Sequence, residues 1–194
     1  MDSKETQIIE KAVSVLNAGG VIIYPTDTAF GIGCRIDNPA AVDRLFALRK
    51  RPVTKATPLL VASKDMALKY FVNPGDTVRL FMDTYWPGQL TIVSACDVSK
   101  VYSKVRGGGH TVGMRMPNHN IITSIIEKIG VPVLGPSANF HGEETPYVFE
   151  SLNAELMRLV DFVVPGKCSV KAASTVVDCS VDPYVILRQG AVDL

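Results

Sequence analysis

Histidine is scarce in this chain. It occurs at 110, 119 and 141 only, and no two of these stand at the i, i+4 spacing that puts paired imidazoles on one helix face. Cysteine is also sparse, and Cys34, Cys96, Cys168 and Cys179 form no C-x-x-C pair. A structural zinc site is therefore not expected, and reduced thiols are. No apolar run approaches the roughly 18 residues of a membrane span. The opening MDSKETQIIEK has neither the basic lead nor the apolar centre of a signal peptide, so a soluble, cytoplasmic protein without a membrane partner is expected. An excess of one charge is missing as well: 20 Lys+Arg oppose 19 Asp+Glu, for a net charge of +1. Any polyanion site must come from local clustering. The common phosphate loops are absent too. Gly31-x-Gly33 is followed by Ile36 where a dinucleotide loop needs its third glycine, and Gly166-Lys167 is followed by Cys168, with Asp161 where a Walker loop needs glycine.

What the chain does contain is an alternation of helical and extended patterns over 194 residues, the right length for one domain with a full core. Residues 6–17 set Ile8, Ile9, Ala12, Val13 and Leu16 on one helical face, closed by Gly19-Gly20. Asn38-Pro39 reads as an N-cap and first-turn proline opening a helix that Pro52 stops. Ser63 caps another helix to about Phe71, NPGD opens one carrying Val78, Leu80, Phe81 and Tyr85, and NIITSIIEKI closes at Gly130. A last helix is expected near 148–160. Strands are expected at VIIYP, PLLVA, LTIVSA, TVGMRM, VPVLG, DFVVPG, STVVD and YVILRQG. The late strands follow one another with little helix between them, which predicts an α/β fold with a mixed parallel and antiparallel sheet flanked by helices.

Polar groups gather at strand ends, where open α/β sheets place their chemistry. YPTDT ends the first strand on two hydroxyls around a carboxylate; these either cap the following turn or contact a substrate. RKRPVTK brings Arg49, Arg51 and Lys55 just past a helix end, within a twelve-residue stretch from Arg44 to Lys55 that holds no acid. Such cations either complement the helix dipole or, held by the proline-stiffened turn, bind an anion. PSAN sets Ser137 and Asn139 on one side of an extended segment, as a local turn or as ligand contacts. Arg115 lies inside an apolar strand and must either meet an internal carboxylate or await an anionic ligand group. Ser174 and Arg188 repeat the pattern. With no Ser-His-Asp set or carboxylate pair in view, the chemistry implied is anion positioning and charge neutralisation.

YPTDTAFGIGC, KRP, WPGQLT, VGMRMPNH, GPSAN, STVVD and ILRQGA occur in an order and spacing that resembles the YrdC/TsaC family of L-threonylcarbamoyladenylate synthases, over about residues 6 to 191. The resemblance implies a twisted mixed sheet around a basic cavity, in a single YrdC-like domain over residues 1–194 without the C-terminal domain of longer members. It also implies a nucleotidyltransferase reaction: L-threonine, bicarbonate and ATP give L-threonylcarbamoyl-AMP and pyrophosphate. The product feeds threonylcarbamoyl-transferase machinery that modifies a tRNA adenosine, and ATP would carry magnesium, with no metal bound by the protein. Alternatives are a non-enzymatic protein that binds tRNA or double-stranded RNA, and a divergent paralogue acting on another carbamoyl acceptor, like the related domain of hydrogenase-maturation carbamoyltransferases.

Carried over by position, the resemblance implies a catalytic set of Arg49, Arg51, Ser137 and Asn139. Arg51, Lys55, Thr111, Ser137, Asn139, Thr145 and Arg188 would contact ATP. Thr28, Arg115, Gly135 and Ser174 would hold L-threonine, with Gly31 and Gly33 letting the backbone pass close to that pocket. The chain departs from the pattern at Arg49, where lysine is usual, at Ala62, where many members have histidine, and at His141, where serine is usual. It also has one additional residue between Lys55 and Pro58.

Overall fold

The computed structural model describes residues 3–194. Helix α1 (Ser3–Asn17) buries Ile9, Ala12 and Leu16, the spacing that puts side chains on one helical stripe. That stripe packs on Ile122, Ile125, Ile126 and Ile129 of α5 (Asn120–Ile129), whose end is closed by Gly130 in the left-handed conformation (φ 73°). Helix α2 (Pro39–Leu48) begins as expected: the Asn38 side chain accepts a hydrogen bond from the Ala41 N–H, and Pro39 occupies the first turn. It stops before Pro52 because Lys50 turns left-handed (φ 52°) and the Arg51 N–H returns to the Phe46 carbonyl. Ser63 caps α3 (Lys64–Leu68), which is shorter than expected, and α4 (Asp76–Tyr85) buries Val78, Phe81 and Met82 but leaves Leu80 in solvent. The helix expected near 148–160 is split. A 3-10 turn at Phe149–Ser151 precedes α6 (Ala154–Leu159), because Asn153 caps the second piece by accepting from the Glu155 and Leu156 N–H groups.

The strands form two sheets. In the first, β1 (Ile22–Tyr24) lies between β2 (Gly31–Gly33), antiparallel to it, and β7 (Phe162–Val163), parallel to it. The second has the order β6-β3-β5-β4-β8-β9, from β6 (Val133–Leu134), β3 (Leu59–Leu60), β5 (Thr111–Arg115), β4 (Leu90–Ala95), β8 (Thr175–Asp178) and β9 (Val185–Arg188). Its pairings β3/β5 and β4/β8 are parallel; the other three are antiparallel. Single bridges at Gly31 with Ser137 and Arg35 with Val133 tie the sheets together. The mixed sheet with flanking helices is the architecture expected from the sequence, except that it is divided in two and includes β2.

Gly31 and Gly33 are strand residues: Gly31 lines the cavity described below, as expected, Gly33 does not, and both have a packing role as well. A Cβ on Gly31 would stand 2.6 Å from the Tyr24 ring across the hairpin, and one on Gly33 would collide with the Leu134 carbonyl oxygen. The two glycines admit the fully buried Tyr24 ring, whose hydroxyl donates to that same carbonyl at 2.5 Å. Among the described residues no helix is long and apolar enough to cross a membrane.

Candidate active site

Beyond the end of β1 the chain runs Thr26-Asp27-Thr28, all buried. Thr26 behaves as a local cap: its Oγ1 accepts from the Thr28 and Ala29 N–H groups at 3.1 and 3.2 Å. Asp27 does not. Its Oδ1 lies 2.5 Å from Nη1 of Arg115, and Oδ2 accepts from the Gln89 side chain at 3.1 Å. Arg115, at the end of β5, also donates from Nη2 to the Thr28 and Thr26 hydroxyls at 3.1 and 3.3 Å and from Nη1 to the Gly88 carbonyl. One of the two partners considered for this arginine is thus present, an internal carboxylate, and the ion pair is almost completely withdrawn from water, with side chains 7% and 1% exposed.

Parallel pairing of β4 with β8 brings Thr91 beside Ser174, and their hydroxyls are 2.9 Å apart. Arg188 ends the edge strand β9 but folds back, donating from Nη2 to the Ser174 hydroxyl (2.9 Å) and from Nε to the Ser174 carbonyl (3.0 Å). Partial burial there lowers its pKa. Arg51 closes the Pro52–Ala56 turn by donating from Nε to the Lys55 carbonyl at 3.2 Å and from Nη2 to that of Ala56, and burial lowers its pKa too. Guanidinium groups remain charged at neutral pH despite such shifts.

These groups surround a cavity of about 370 Å³. Its wall includes Thr28, Arg115, Gly135 and Ser174, and also Arg51, Ser137, Thr145 and Arg188. Four other residues singled out by sequence lie outside the wall. Lys55 is exposed on the turn, and its carbonyl, not its ammonium, is what Arg51 engages. Thr111 shares a strand face with the wall residue Gly113 but sits one pleat repeat further along. Asn139 is buried behind Ser137, whose hydroxyl donates to its Oδ1 at 2.6 Å. Arg49 is also buried, held by the Asn139 carbonyl and Oδ1 at 2.9 and 3.1 Å. Desolvation, aided by the nearby Arg51 charge, pushes its pKa down to about 10.

The sequence reading missed other wall residues. Thr57 is buried, lines the cavity, and its hydroxyl has no hydrogen-bond partner in the protein. Its position just before Pro58 and the buried strand β3 was the available signal. Thr91 lay in plain view in LTIVSA as one of two hydroxyls, with Ser94, in an otherwise apolar run. Among the described residues no group of three or more His, Cys, Asp or Glu is placed to hold a metal ion. The wall offers guanidinium and hydroxyl groups, and Asp27, the carboxylate behind it, is already engaged by Arg115 and Gln89.

A family model named Sua5/YciO/YrdC, described as telomere recombination, matches residues 14–190. The chain is 31% identical over 187 residues to a threonylcarbamoyl-AMP synthase of Bacillus subtilis, covering 95% of this chain and 54% of that protein. It is 32% identical over 185 residues to a threonylcarbamoyl-AMP synthase of Vibrio cholerae, covering 94% and 97%. The crystal structure of Pyrococcus abyssi Sua5 complexed with L-threonine superposes with a TM-score of 0.87 at 27% identity, covering 96% of this chain and 54% of that one. That of Escherichia coli YciO superposes at 0.86 with 28% identity, covering 96% and 91%. The chain thus spans about half the length of the Bacillus and Pyrococcus relatives and nearly all of the other two.

Proposed function

The chain belongs to the Sua5/YciO/YrdC family, and from that premise we propose that it is an L-threonylcarbamoyladenylate synthase, joining L-threonine, bicarbonate and ATP into L-threonylcarbamoyl-AMP with release of pyrophosphate. The observation that carries this reading is the meeting of Arg51, Arg115 and Arg188 with the Thr28, Ser137 and Ser174 hydroxyls on one cavity wall. Guanidinium groups suit the anionic groups of these substrates: Arg51 and Arg188 the polyphosphate, and Arg115, although already paired with Asp27, the threonine carboxylate.

The reaction needs two bonds to form. The threonine amine attacks carbon dioxide, giving a carbamate and releasing a proton, or attacks bicarbonate, giving the same carbamate as a C–O bond breaks and water leaves. A carbamate oxygen then attacks the α-phosphorus of ATP as the bond to the β-phosphate oxygen breaks and pyrophosphate leaves. The second step brings two anions together, and its barrier is largely electrostatic and positional. Arg51 and Arg188 would neutralise the phosphates. Arg115 would receive the threonine carboxylate beside the Thr28 hydroxyl, the ligand taking over a donor that Nη2 now shares between the Thr26 and Thr28 hydroxyls. Ser174, fixed between Thr91 and Arg188, would orient the amino acid. Magnesium, where it takes part, would enter on the phosphates and add its charge to those of Arg51 and Arg188.

Purified protein supplied with ATP, magnesium, L-threonine and bicarbonate is expected to release pyrophosphate and form threonylcarbamoyl-AMP. Omission of either threonine or bicarbonate should abolish both. Turnover that persists without threonine, or that needs another carbamoyl acceptor, would assign the cavity to a different reaction. Binding of tRNA without any turnover would make the protein a non-enzymatic binder.

A further inference from the structure

Resting on the synthase reading, we propose that Arg49 is a positioning residue: through Asn139 it fixes the proton of the Ser137 hydroxyl, so that Ser137 faces the cavity as a hydrogen-bond acceptor. The geometry begins at the end of α2. Arg49 keeps a helical φ of −83°, Lys50 turns to +52°, and Arg51 follows, so the two arginines part. Arg51 reaches the cavity wall, while Arg49 stays 2% exposed behind it.

There the Arg49 side chain donates from Nε to the Asn139 carbonyl (2.9 Å) and from Nη2 to Asn139 Oδ1 (3.1 Å), and the Arg49 carbonyl accepts from the His141 N–H (2.9 Å). A guanidinium has donors and no acceptor, so the atom of Asn139 facing it must be the amide oxygen. The opposite end of that amide, Nδ2, donates to the Glu143 carbonyl at 2.6 Å, which the flipped amide could not do. The orientation of Asn139 is thereby fixed from both sides.

Ser137 lies next in the chain of bonds. Its Oγ is 2.6 Å from that same Oδ1, and because an amide oxygen only accepts, Ser137 must be the donor. Its single proton is committed away from the cavity, and its lone pairs remain for a ligand N–H or O–H. A threonine amine or a ribose hydroxyl suits such a group. A phosphate oxygen, itself an acceptor, does not. Ser137 therefore serves the donor groups of the substrates, and the arginines serve the anions.

The test is a double-substitution cycle with Arg49→Met and Ser137→Ala, read as kcat and KM for pyrophosphate release, as ATP affinity by calorimetry, and as the Asn139 side-chain amide signals in ¹⁵N NMR. Arg49→Met alone should lower kcat/KM by about 10- to 100-fold, the range for removing a group that orients a ligand-contacting side chain, and should shift the Asn139 amide signals. In the Ser137→Ala background the same change should cost less than about twofold, because coupled residues are not additive. Arg49→Lys, with one charged donor in place of the fork, should recover part of the loss, and it carries the same cycle if Arg49→Met does not fold. Additive losses, or Asn139 signals that do not move, overturn the proposal. If the wild-type protein releases no pyrophosphate, the synthase reading fails while the amide signals and ATP affinity still decide the role of Arg49; without ATP binding, the amide signals alone decide it.

Discussion

Arg115 shows how far a single residue can be read. Its place in an apolar strand required a partner, and Asp27, 88 positions earlier, supplies it at 2.5 Å. Truncating one member of a buried pair strands the other charge, which costs about 3–5 kcal/mol. Arg115→Ala is therefore expected to lower stability by that amount in a denaturant curve and to weaken threonine binding in a calorimetric titration. Arg115→Met combined with Asp27→Leu should regain much of the stability without regaining threonine affinity. Intact threonine binding in either variant would remove Arg115 from the site. Both partners stood in quoted motifs, but their pairing was not legible, because nothing local to either residue specifies a contact across two sheets. Arg49 and Arg51 make the same point over two positions. A repeated cation looks like one cluster in sequence, and the left-handed Lys50 between them sends one behind the wall and the other onto it.

Elements with their own boundary chemistry were the most legible. Asn38-Pro39, Ser63 and Gly130 mark helix ends where the sequence indicated them, since caps act within a few residues. The strand β2 was not legible, because Gly-Ile-Gly has little strand propensity and is held by its pairing with β1. Helix α5 carries a testable weakness. His119 occupies its N-cap without a side-chain cap bond, its Nε2 is 3.3 Å from the Lys167 carbonyl, and its Nδ1 is buried without a partner. Burial lowers its pKa below the usual 6.5, outweighing the opposing pull of the Lys167 carbonyl and the Asp27 carboxylate. The unfolded chain then binds the proton more readily, so this contribution to stability is complete above about pH 6.5 and drains as pH falls through the lowered folded value. His119→Asn is expected to flatten that part of the pH-stability curve and, by capping α5, to add about 1 kcal/mol at neutral pH. Unfolding curves of both proteins between about pH 5 and 7 test it, and equal slopes would show that His119 does not titrate with unfolding.

At the scale of the whole molecule, the cavity exists because strand ends and adjoining loops of both sheets converge on it: Thr28 beside the first, Arg115 and Arg188 at strand ends and Ser174 at a strand start of the second, and Ser137 from the segment that bridges to Gly31. Ligands that fill it bind the folded state alone. ATP and threonine at about a hundred times their dissociation constants should stabilise the protein by about 2.7 kcal/mol each, which for about 200 residues raises Tm by roughly 5–10 °C. A thermal melt with and without each ligand measures this, and an unchanged Tm with both would disconnect the cavity from these substrates. The sequence by itself determined the class of fold, the order of most elements and the residue types available for chemistry, because periodicity, caps and turn residues act over a few positions. Only the tertiary structure decided which of those residues share a wall, that Arg115 is paired before any ligand arrives, that Gly31 and Gly33 make room for Tyr24, and that Arg49 stands behind Ser137. Such outcomes depend on contacts between segments tens of residues apart, and a chain specifies them only by packing as a whole.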